Sequence, residues 1–263
     1  MAAMAKFYNV GHRGASAYAH ENTVVSLEEA IARQADIVEF DLRQTVDGVI
    51  VLSHDRGIQG ADGELSQISQ INFDELSTRA KSHDFEIAKF EDVLKSFGPR
   101  IPLNIEIKLS GFEKEVIRLL KEYPPAYEPT LSSFLPWVVI RLKKLGNFKT
   151  ALIIGEGRIH KLNILERRIA RMLARYLGIS SIHLQDSVTS QAALTNLIRA
   201  GLSVFIWTVD NPDQMRRFLT MGVDGIITNK PDLLYKVCLE ITDSNEPILK
   251  KVDNNSGRFV YAI

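Results

Sequence analysis

The sequence reads Ile-Val-Glu-Phe-Asp-Leu from residue 37 to residue 42, and this stretch decides the fold class. A buried parallel strand is usually apolar on both faces, but here Glu39 and Asp41 alternate with the apolar residues. Because strand side chains alternate between two faces, the two acids share one face and the apolar residues share the other. We therefore expect a strand that packs against helices on one side and faces a polar opening on the other.

A second stretch repeats this pattern, since residues 103–108 read Leu-Asn-Ile-Glu-Ile-Lys. Asn104, Glu106 and Lys108 share one face of this strand, opposite the three apolar residues. If both apolar faces contact outer helices, the polar faces of the two strands meet inside the sheet. The two stretches together predict one cluster of charged side chains at the mouth of a barrel.

The cluster would contain three carboxylates, Glu39, Asp41 and Glu106, and burying unpaired carboxylates is costly. Converging oxygen ligands suit a hard divalent cation, Mg²⁺ or Ca²⁺. The alternative is that each acid pairs with a lysine or arginine on a neighbouring strand. The matching alternation on two strands favours the metal site.

Strand and helix patterns alternate along the rest of the chain, which predicts parallel pairing with helices outside. Strands are predicted at residues 7–12, 37–42, 49–54, 102–108, 129–134, 149–154, 180–184, 203–209 and 225–228. Helices are predicted at residues 24–35, 73–79, 89–97, 111–122, 162–177, 190–200 and 212–221, with Thr23 or Ser26 as the first N-cap. The chain has 263 residues, close to the roughly 250 of one (β/α)₈ barrel. We predict a single barrel domain at residues 1–241 and an irregular tail at 242–263.

Composition excludes several classes of protein. The 32 basic and 32 acidic side chains cancel, so the basic excess typical of nucleic-acid binding is missing. No apolar run approaches the roughly 20 residues that span a bilayer, and we expect no stable membrane insertion. The single cysteine, Cys238, excludes an intramolecular disulfide. Together with an N-terminus unlike a secretion signal, this predicts a cytoplasmic protein.

Two histidines stand at predicted strand ends, His12 in Gly-His-Arg-Gly and His54 in Ser-His-Asp. The short connection before His54 contains Asp47-Gly48, a hairpin signal. A two-residue turn there sets His54 opposite Asp41, and a four-residue loop sets it opposite Glu39. A slip of one residue would instead set it opposite Phe40. The first two registers place His54 beside the acids.

The pKa of histidine allows proton exchange near neutral pH, as an acid/base pair requires. His12 and His54 are therefore the candidate pair. The remaining histidines have no such neighbours, and surface or structural roles are expected for His20, His83, His160 and His183. Arg13 and Lys108 suggest an anionic substrate such as a phosphate. The alternative, which stays open for Lys108, is that these cations only offset the acids.

At these residues the chain closely resembles the glycerophosphodiester phosphodiesterase family. The matching segments follow one order along the chain: residues 11–14, 21–23, 39–41, 45–48, 54–55, 104–108, 132–134, 207–209 and 225–231. Each short motif is weak alone, but the ordered set is highly specific. The resemblance implies a TIM-type barrel whose site lies at the carboxyl ends of the strands.

The resemblance also implies roles for individual residues. Glu39, Asp41 and Glu106 look like the ligands of one Mg²⁺ or Ca²⁺. His12 and His54 look like the general acid/base pair, and Arg13 and Lys108 look like phosphate contacts. Trp207 resembles the family's aromatic wall for the glycerol moiety, with core packing as the alternative.

The implied reaction converts a small glycerophosphodiester into glycerol 3-phosphate and an alcohol. One histidine would help the glycerol 2-hydroxyl attack phosphorus, and the other would protonate the leaving alcohol. The cyclic phosphate would then be hydrolysed. A lysophospholipase D and an inactive barrel that only binds phosphodiesters are the alternatives, and the intact histidines and acids argue against the second.

Three features depart from the family pattern or allow two interpretations. His20 stands where the family usually has proline, which affects the local turn. Residues 55–72 are short where many relatives carry a sizeable insertion, so the sequence leaves substrate specificity open. The strongly basic stretch 162–177 is interpreted as an outer barrel helix, with contact to an anionic membrane surface as the alternative.

Overall fold

The computed structural model describes residues 6–61, 63–155, 178–189, 191–199, 201–244, 249–251 and 259–261. Its strands are β1 Lys6–Gly11, β2 Ile37–Gln44, β3 Ile50–Leu52, β4 Gly57–Gln59, β5 Leu65–Gln67, β6 Leu103–Ile107, β7 Thr130–Ser133, β8 Lys149–Ile154, β9 Ser181–Gln185, β10 Ser203–Trp207, β11 Gly225–Thr228, β12 Leu249–Lys251 and β13 Phe259–Tyr261. Eight of them, β1, β2 and β6 to β11, pair in parallel, and β1 bonds both β2 and β11. The predicted TIM-type barrel is confirmed.

Helices lie between the barrel strands and cover their outer faces. Within the described residues they are α1 Val24–Ala32, α2 Phe73–Lys81, α3 Phe90–Phe97, α4 Glu113–Glu122, α5 Pro136–Leu145, α6 Gln191–Arg199, α7 Pro212–Thr220 and α8 Pro231–Thr242. Thr23 caps α1, because its side chain accepts a hydrogen bond from the Ser26 amide. The predicted basic helix 162–177 lies outside the described residues.

Two of these helices, α5 and α8, had not been predicted. Each begins with a proline at its first turn, Pro136 or Pro231, and neither has a side chain that caps its N-terminus. Proline is well tolerated at this position because the amide hydrogen it lacks would have no partner inside the helix. Neither start therefore carries a polar N-cap residue of the kind that Thr23 or Ser26 provided for the prediction of α1.

Strands β2 and β6 lie side by side in the register that the alternation requires. Asp41 stands opposite Glu106, and Glu39 stands opposite Asn104. The other faces carry Phe40 and the remaining apolar residues, which are fully buried in a cluster with side chains of α1, α3 and α4. The outer helices therefore take up the apolar faces, and the acids point into the barrel.

The predicted registers of the β2–β3 hairpin were wrong. Gln44 pairs with Ile50 and Leu42 pairs with Leu52. If this pairing continued to residue 54, His54 would lie opposite Phe40, which is the register slipped by one residue. Thr45 causes the slip, because its hydroxyl donates to Asp47 at 2.6 Å and accepts from the Val49 amide at 3.0 Å, which holds a longer loop together. Strand β3 ends at Leu52. His54 is therefore not paired with β2, and the slipped register does not determine the direction of its side chain.

Residues 53–87 form a small layer beside the barrel mouth. It contains the two-stranded β4–β5 sheet and α2, with its own apolar cluster around Val51, Ile68 and Leu76. Its two ends meet, since the Leu52 amide donates to the Ala88 carbonyl at 2.9 Å. The β4–β5 pair had not been predicted because both strands are three residues long and partly polar.

The tail predicted as irregular contains two short strands, and β13 pairs antiparallel with β1. Helix α8 ends at Thr242, one residue beyond the predicted domain boundary. Every helix in the described part of the chain is too short or too polar to cross a lipid bilayer.

Candidate active site

Three buried carboxylates converge at the carboxyl ends of β2 and β6. Each of Glu39, Asp41 and Glu106 offers a carboxylate oxygen, and these oxygens lie within 4.8 Å of one another. At most 6% of each residue is exposed to solvent. The alternation of the two strands thus brings the three predicted ligands together.

Arg13 and Lys108 pair with these acids. The Lys108 Nζ lies 2.8 Å from Asp41 Oδ1 and 2.6 Å from Glu106 Oε1. The Arg13 Nε lies 3.2 Å from Asp41 Oδ2, and the Arg13 backbone amide donates to Glu39 Oε2 at 2.9 Å. Both cations therefore offset the negative charge of the carboxylates, as the alternative interpretation of these two residues held. Both also line the adjacent cavity.

The environment sets the pKa values of the three acids apart. Burial, followed by repulsion from Asp41, raises the pKa of Glu39 well above its usual value and that of Glu106 to about 7. Burial also opposes ionisation of Asp41, but Lys108 and Arg13 outweigh it and hold the pKa of that carboxyl below its usual range. A cluster of this kind favours a further positive charge.

The donor set fits a hard divalent cation. Asp41 Oδ1 and Glu106 Oε1 are buried and lie at ion-pair distance from Lys108, yet neither accepts a hydrogen bond of good geometry. Buried oxygens without hydrogen bonds are uncommon in proteins. Ligands that are all carboxylate oxygens are the kind that Mg²⁺ and Ca²⁺ prefer. The site can hold such an ion with Glu39, Asp41 and Glu106.

His12 lies at the end of β1 with its ring held by Asn229. The His12 Nδ1 and Asn229 Oδ1 are 2.7 Å apart. The Asn229 amide nitrogen donates to Asp210 Oδ2 at 2.6 Å, which identifies Oδ1 as the acceptor and Nδ1 of His12 as the donor. The other ring nitrogen then carries a lone pair, because a neutral imidazole has one donor and one acceptor. Burial and the charge of Arg13 lower the His12 pKa to about 4.

His54 lines the same cavity as His12. Its Nδ1 lies 2.9 Å from Asp55 Oδ1, and 38% of its side chain is exposed. The Arg43 Nε–H donates to the His54 carbonyl at 3.0 Å. Both histidines line one cavity of about 140 Å³ together with Glu39 and Glu106.

Two aromatic side chains, Phe134 and Trp207, also line this cavity. Phe134 and Trp207 pack edge to face, with ring centroids 5.5 Å apart. Trp207 is partly exposed, and its indole N–H donates to the His183 carbonyl at 3.2 Å. The aromatic side chain therefore lines the cavity and also packs against neighbouring residues.

Three polar residues support the site but were absent from the predicted set. Asn22 exchanges two hydrogen bonds with Asp41, at 2.9 and 3.0 Å. Asn229 orients His12, and Arg43 holds the backbone of His54. Arg43 had a signal in the sequence, since it continues the face of Glu39 and Asp41 along β2. The two asparagines had none beyond the family motifs.

Comparison with known proteins agrees with this arrangement. Residues 12–233 match the Glycerophosphoryl diester phosphodiesterase family. A glycerophosphodiester phosphodiesterase of Caldanaerobacter subterraneus is 28% identical over 87% of this chain and 96% of its own length. A lysophospholipase D of Mus musculus is 34% identical over 85% of this chain and 79% of its own length.

Solved structures show the same fold. The glycerophosphodiester phosphodiesterase of Thermotoga maritima superposes with a TM-score of 0.74 and 26% identity, over 88% of this chain and 98% of that one. A phosphodiesterase of Oleispira antarctica, solved with the product sn-glycerol-3-phosphate, superposes with a TM-score of 0.73 at 21% identity, over 87% and 95%. This chain belongs to the glycerophosphoryl diester phosphodiesterase family.

Proposed function

We propose that this chain hydrolyses glycerophosphodiesters to glycerol 3-phosphate and an alcohol with the help of one divalent cation, Mg²⁺ or Ca²⁺. One observation carries the proposal: the two histidines border the same small cavity as Glu39 and Glu106 of the acid cluster. Family membership agrees with this chemistry. Glu39, Asp41 and Glu106 would hold the cation, which when bound would polarise the phosphodiester and offset its charge.

The charges of the site suit a phosphodiester. The three clustered carboxylates outnumber Arg13 and Lys108, and Arg13 also pairs with Glu21 at 2.7 Å. A divalent cation would offset the excess negative charge and so reduce the repulsion of an anionic phosphodiester. The guanidinium of Arg13 and the ammonium of Lys108 would contact the phosphate oxygens.

The two histidines would carry the protons. His12 presents a free ring nitrogen because Asn229 holds the other one, and its lowered pKa keeps it neutral at pH 7. His54 is more exposed and lies against Asp55. We assign them jointly as the acid/base pair that deprotonates the attacking hydroxyl and protonates the departing oxygen.

Trp207 and Phe134 would contact the glycerol moiety. The cavity has a volume of about 140 Å³ and is bounded in part by these aromatic rings, so it suits a three-carbon unit better than a long chain. This arrangement supports a small deacylated glycerophosphodiester as the substrate. Such a reaction belongs to lipid and glycerol metabolism, and the single buried cysteine, Cys238, fits the reducing cytoplasm.

The test is an assay of glycerol 3-phosphate release from glycerophosphocholine with Mg²⁺ or Ca²⁺, repeated after EDTA. We expect activity with at least one of the two ions and its loss after chelation. Activity that survives complete removal of metal would contradict the metal assignment. The His54→Ala and His12→Ala variants would separate enzymatic release from contamination.

A second candidate function is that of a lysophospholipase D. The 34% identical relative from Mus musculus carries that name, and this similarity favours lysophosphatidylcholine as a competing substrate. The same preparation assayed with both substrates decides between them. A higher kcat/KM for glycerophosphocholine would support the main proposal.

A further inference from the structure

Asn104 is a buried polar residue to which the proposed reaction assigns no part. It lies on β6, two residues before Glu106 and on the same face of the strand. On the neighbouring strand it stands opposite Glu39. Only 5% of the residue is exposed to solvent, and it lines the small cavity together with both histidines. Asn104 therefore borders the space in which the diester would be cleaved.

The amide oxygen of Asn104 lacks a hydrogen-bond partner. Its Oδ1 is buried and accepts no hydrogen bond from the residues that the structure describes. Buried polar atoms of this kind are uncommon in proteins, and each one calls for an explanation.

The other neutral polar side chains that line the cavity have neighbours of their own. The Ser132 hydroxyl donates to the Ile105 carbonyl at 3.4 Å. The Nε2 of His183 lies 3.4 Å from the Ser181 hydroxyl. Within the described part of the chain, Asn104 is thus the neutral side chain of this cavity that keeps a buried oxygen unpaired.

The unpaired oxygen limits the kind of group that Asn104 can bind. An amide oxygen needs a hydrogen-bond donor. An ionised phosphodiester offers acceptors only, and Arg13 and Lys108 are assigned to its oxygens. The donors of the glycerol moiety are its two hydroxyl groups. A hydroxyl also accepts a hydrogen bond, so it complements the amide nitrogen as well as the amide oxygen.

The proposed reaction distinguishes these two hydroxyls. The attacking hydroxyl must transfer its proton to a base, which His12 or His54 provides. A neutral amide takes up no proton near neutral pH, so Asn104 suits the hydroxyl that keeps its proton. That group is the terminal hydroxyl of glycerol, because the hydroxyl beside the phosphate-bearing carbon is the one that attacks phosphorus.

We propose that Asn104 binds the free terminal hydroxyl of the glycerol moiety and thereby selects deacylated substrates. The assignment rests on the proposed hydrolysis, because it takes the diester to lie in the small cavity. In a lysophospholipid whose acyl chain is attached to the terminal oxygen, that oxygen belongs to an ester and has no proton to donate. The Asn104 oxygen would stay buried and unpaired, which is unfavourable. The contact thus opposes the lysophospholipase D reaction.

The experiment compares choline release from two diesters. One is glycerophosphocholine, and the other is the phosphocholine diester of propylene glycol, in which a hydrogen atom replaces the terminal hydroxyl. Both keep the attacking hydroxyl and the same leaving alcohol. We expect kcat/KM of the wild-type chain to be higher for glycerophosphocholine by about tenfold or more. Equal values for the two diesters would overturn the assignment.

A variant connects this preference to the residue. Asn104→Leu keeps a similar volume and removes the amide, and loss of an unpaired buried amide should leave the fold intact. We expect the ratio of the two kcat/KM values to fall severalfold. Ser132→Ala is the matched control, because it removes another neutral polar group of the cavity, one that already donates to the Ile105 carbonyl. It should keep the ratio, and an unchanged ratio in Asn104→Leu would contradict the proposal.

A binding measurement separates a substrate contact from a metal ligand. The unfolding temperature of Asn104→Leu should rise with Mg²⁺ or Ca²⁺ as much as that of the wild-type chain, because the three acids remain. Loss of this rise would assign Asn104 to the metal and overturn its role toward the hydroxyl. Should the variant fail to fold, the two diesters with the wild-type chain still decide.

The outcomes also separate the two levels of the proposal. If glycerophosphocholine is hydrolysed without preference over the propylene glycol diester, the role of Asn104 is wrong and the proposed function stands. If neither diester releases choline, the proposed function itself fails.

Discussion

Arg43 donates a hydrogen bond from its Nε to the carbonyl oxygen of His54 at 3.0 Å, and the guanidinium is almost fully buried. Strand β3 ends two residues before His54, so no ladder bond fixes the histidine backbone. Arg43 therefore takes over the positioning that the ladder no longer provides. A displacement of about 1 Å in a reacting group can cost up to roughly a hundredfold in rate.

We expect Arg43→Met to lower kcat by about tenfold or more with a smaller effect on KM. Arg43→Lys should recover only part of the loss, because an ammonium has one nitrogen and cannot reproduce the two guanidinium nitrogens that converge on one carbonyl oxygen. Full recovery by lysine would show that charge alone matters. The control is Arg56→Met, an exposed arginine two residues beyond His54.

The bond between His12 and Asn229 gives a second prediction. Asn229→Leu removes the acceptor that fixes the His12 ring, and this bond also raises the His12 pKa. We expect kcat to fall by about a hundredfold, as for other lost positioning contacts. Ser16→Ala is the matched control, since Ser16 donates to the same oxygen at 2.6 Å without touching the ring. Equal losses in both variants would contradict the role of Asn229.

Removal of the His54 side chain should lower turnover without lowering the stability of the fold. His54→Ala is expected to nearly abolish turnover and to change the unfolding temperature little, because its ring is partly exposed. The measurement is turnover of glycerophosphocholine beside a thermal unfolding curve. Arg56→Ala is the control, because Arg56 is exposed, close to His54 in the chain, and lines neither the small cavity nor the cavity of about 440 Å³ that His54 also borders. Near-normal turnover in His54→Ala would remove His54 from the site.

Metal binding should be visible without catalysis. A cation at 100 times its Kd stabilises the folded state by about 2.7 kcal/mol, which corresponds to roughly 5–10 °C in a chain of this size. Glu39→Gln should lose most of this shift in unfolding temperature. Glu113→Gln removes another buried glutamate, which accepts from the Gly111 amide and is not part of the acid cluster. That variant should be less stable but keep the shift.

We expect the folded protein to lose stability in acid because of the buried histidine His183. Burial lowers its pKa from 6.5 to about 3, so the unfolded chain binds a proton at a higher pH than the folded one. Its contribution to stability is complete above pH 6.5 and is lost as the pH falls toward 3. Between pH 7 and pH 5 the loss is about 2 kcal/mol.

Urea unfolding at the two pH values measures this loss. The difference between pH 7 and pH 5 should be about 2 kcal/mol smaller in His183→Asn than in the wild-type chain. Comparing pH values within each variant removes the effect of the altered packing. An unchanged difference would show that His183 does not titrate on unfolding. His83→Asn serves as the exposed control.

The sequence predicted the barrel and the acid cluster because both depend on alternation, which the apolar and acidic residues of β2 and β6 display directly. It failed where a side chain competes with the backbone for hydrogen bonds. Thr45 shifted the β2–β3 register through its hydroxyl, which no pattern of hydrophobicity records. The prediction ended β2 at Leu42, so it missed Arg43, although the same alternation continues to Gln44.

Polar contacts between residues far apart along the chain also could not be predicted from the sequence. Asn229 lies 217 residues from His12 along the chain, and only closure of the barrel brings β11 beside β1. A surface or structural role was expected for His183, yet it lines the small cavity together with Glu39 and Glu106. Barrel strands contribute inward side chains from every part of the chain, so such neighbours appear only once the ring is closed.

The layer of residues 53–87 leaves the barrel and returns to it at one point, where the Leu52 amide meets the Ala88 carbonyl. A segment with adjoining ends behaves as an interchangeable module: it can be shortened, lengthened or exchanged while the barrel strands keep their partners. Of the proposed site residues only His54 lies in this module, near its first end, whereas the three acids, His12, Arg13, Lys108 and Trp207 lie on strands of the ring or just after them. Changes elsewhere in the module can therefore alter the surroundings of the active site without moving the three acids.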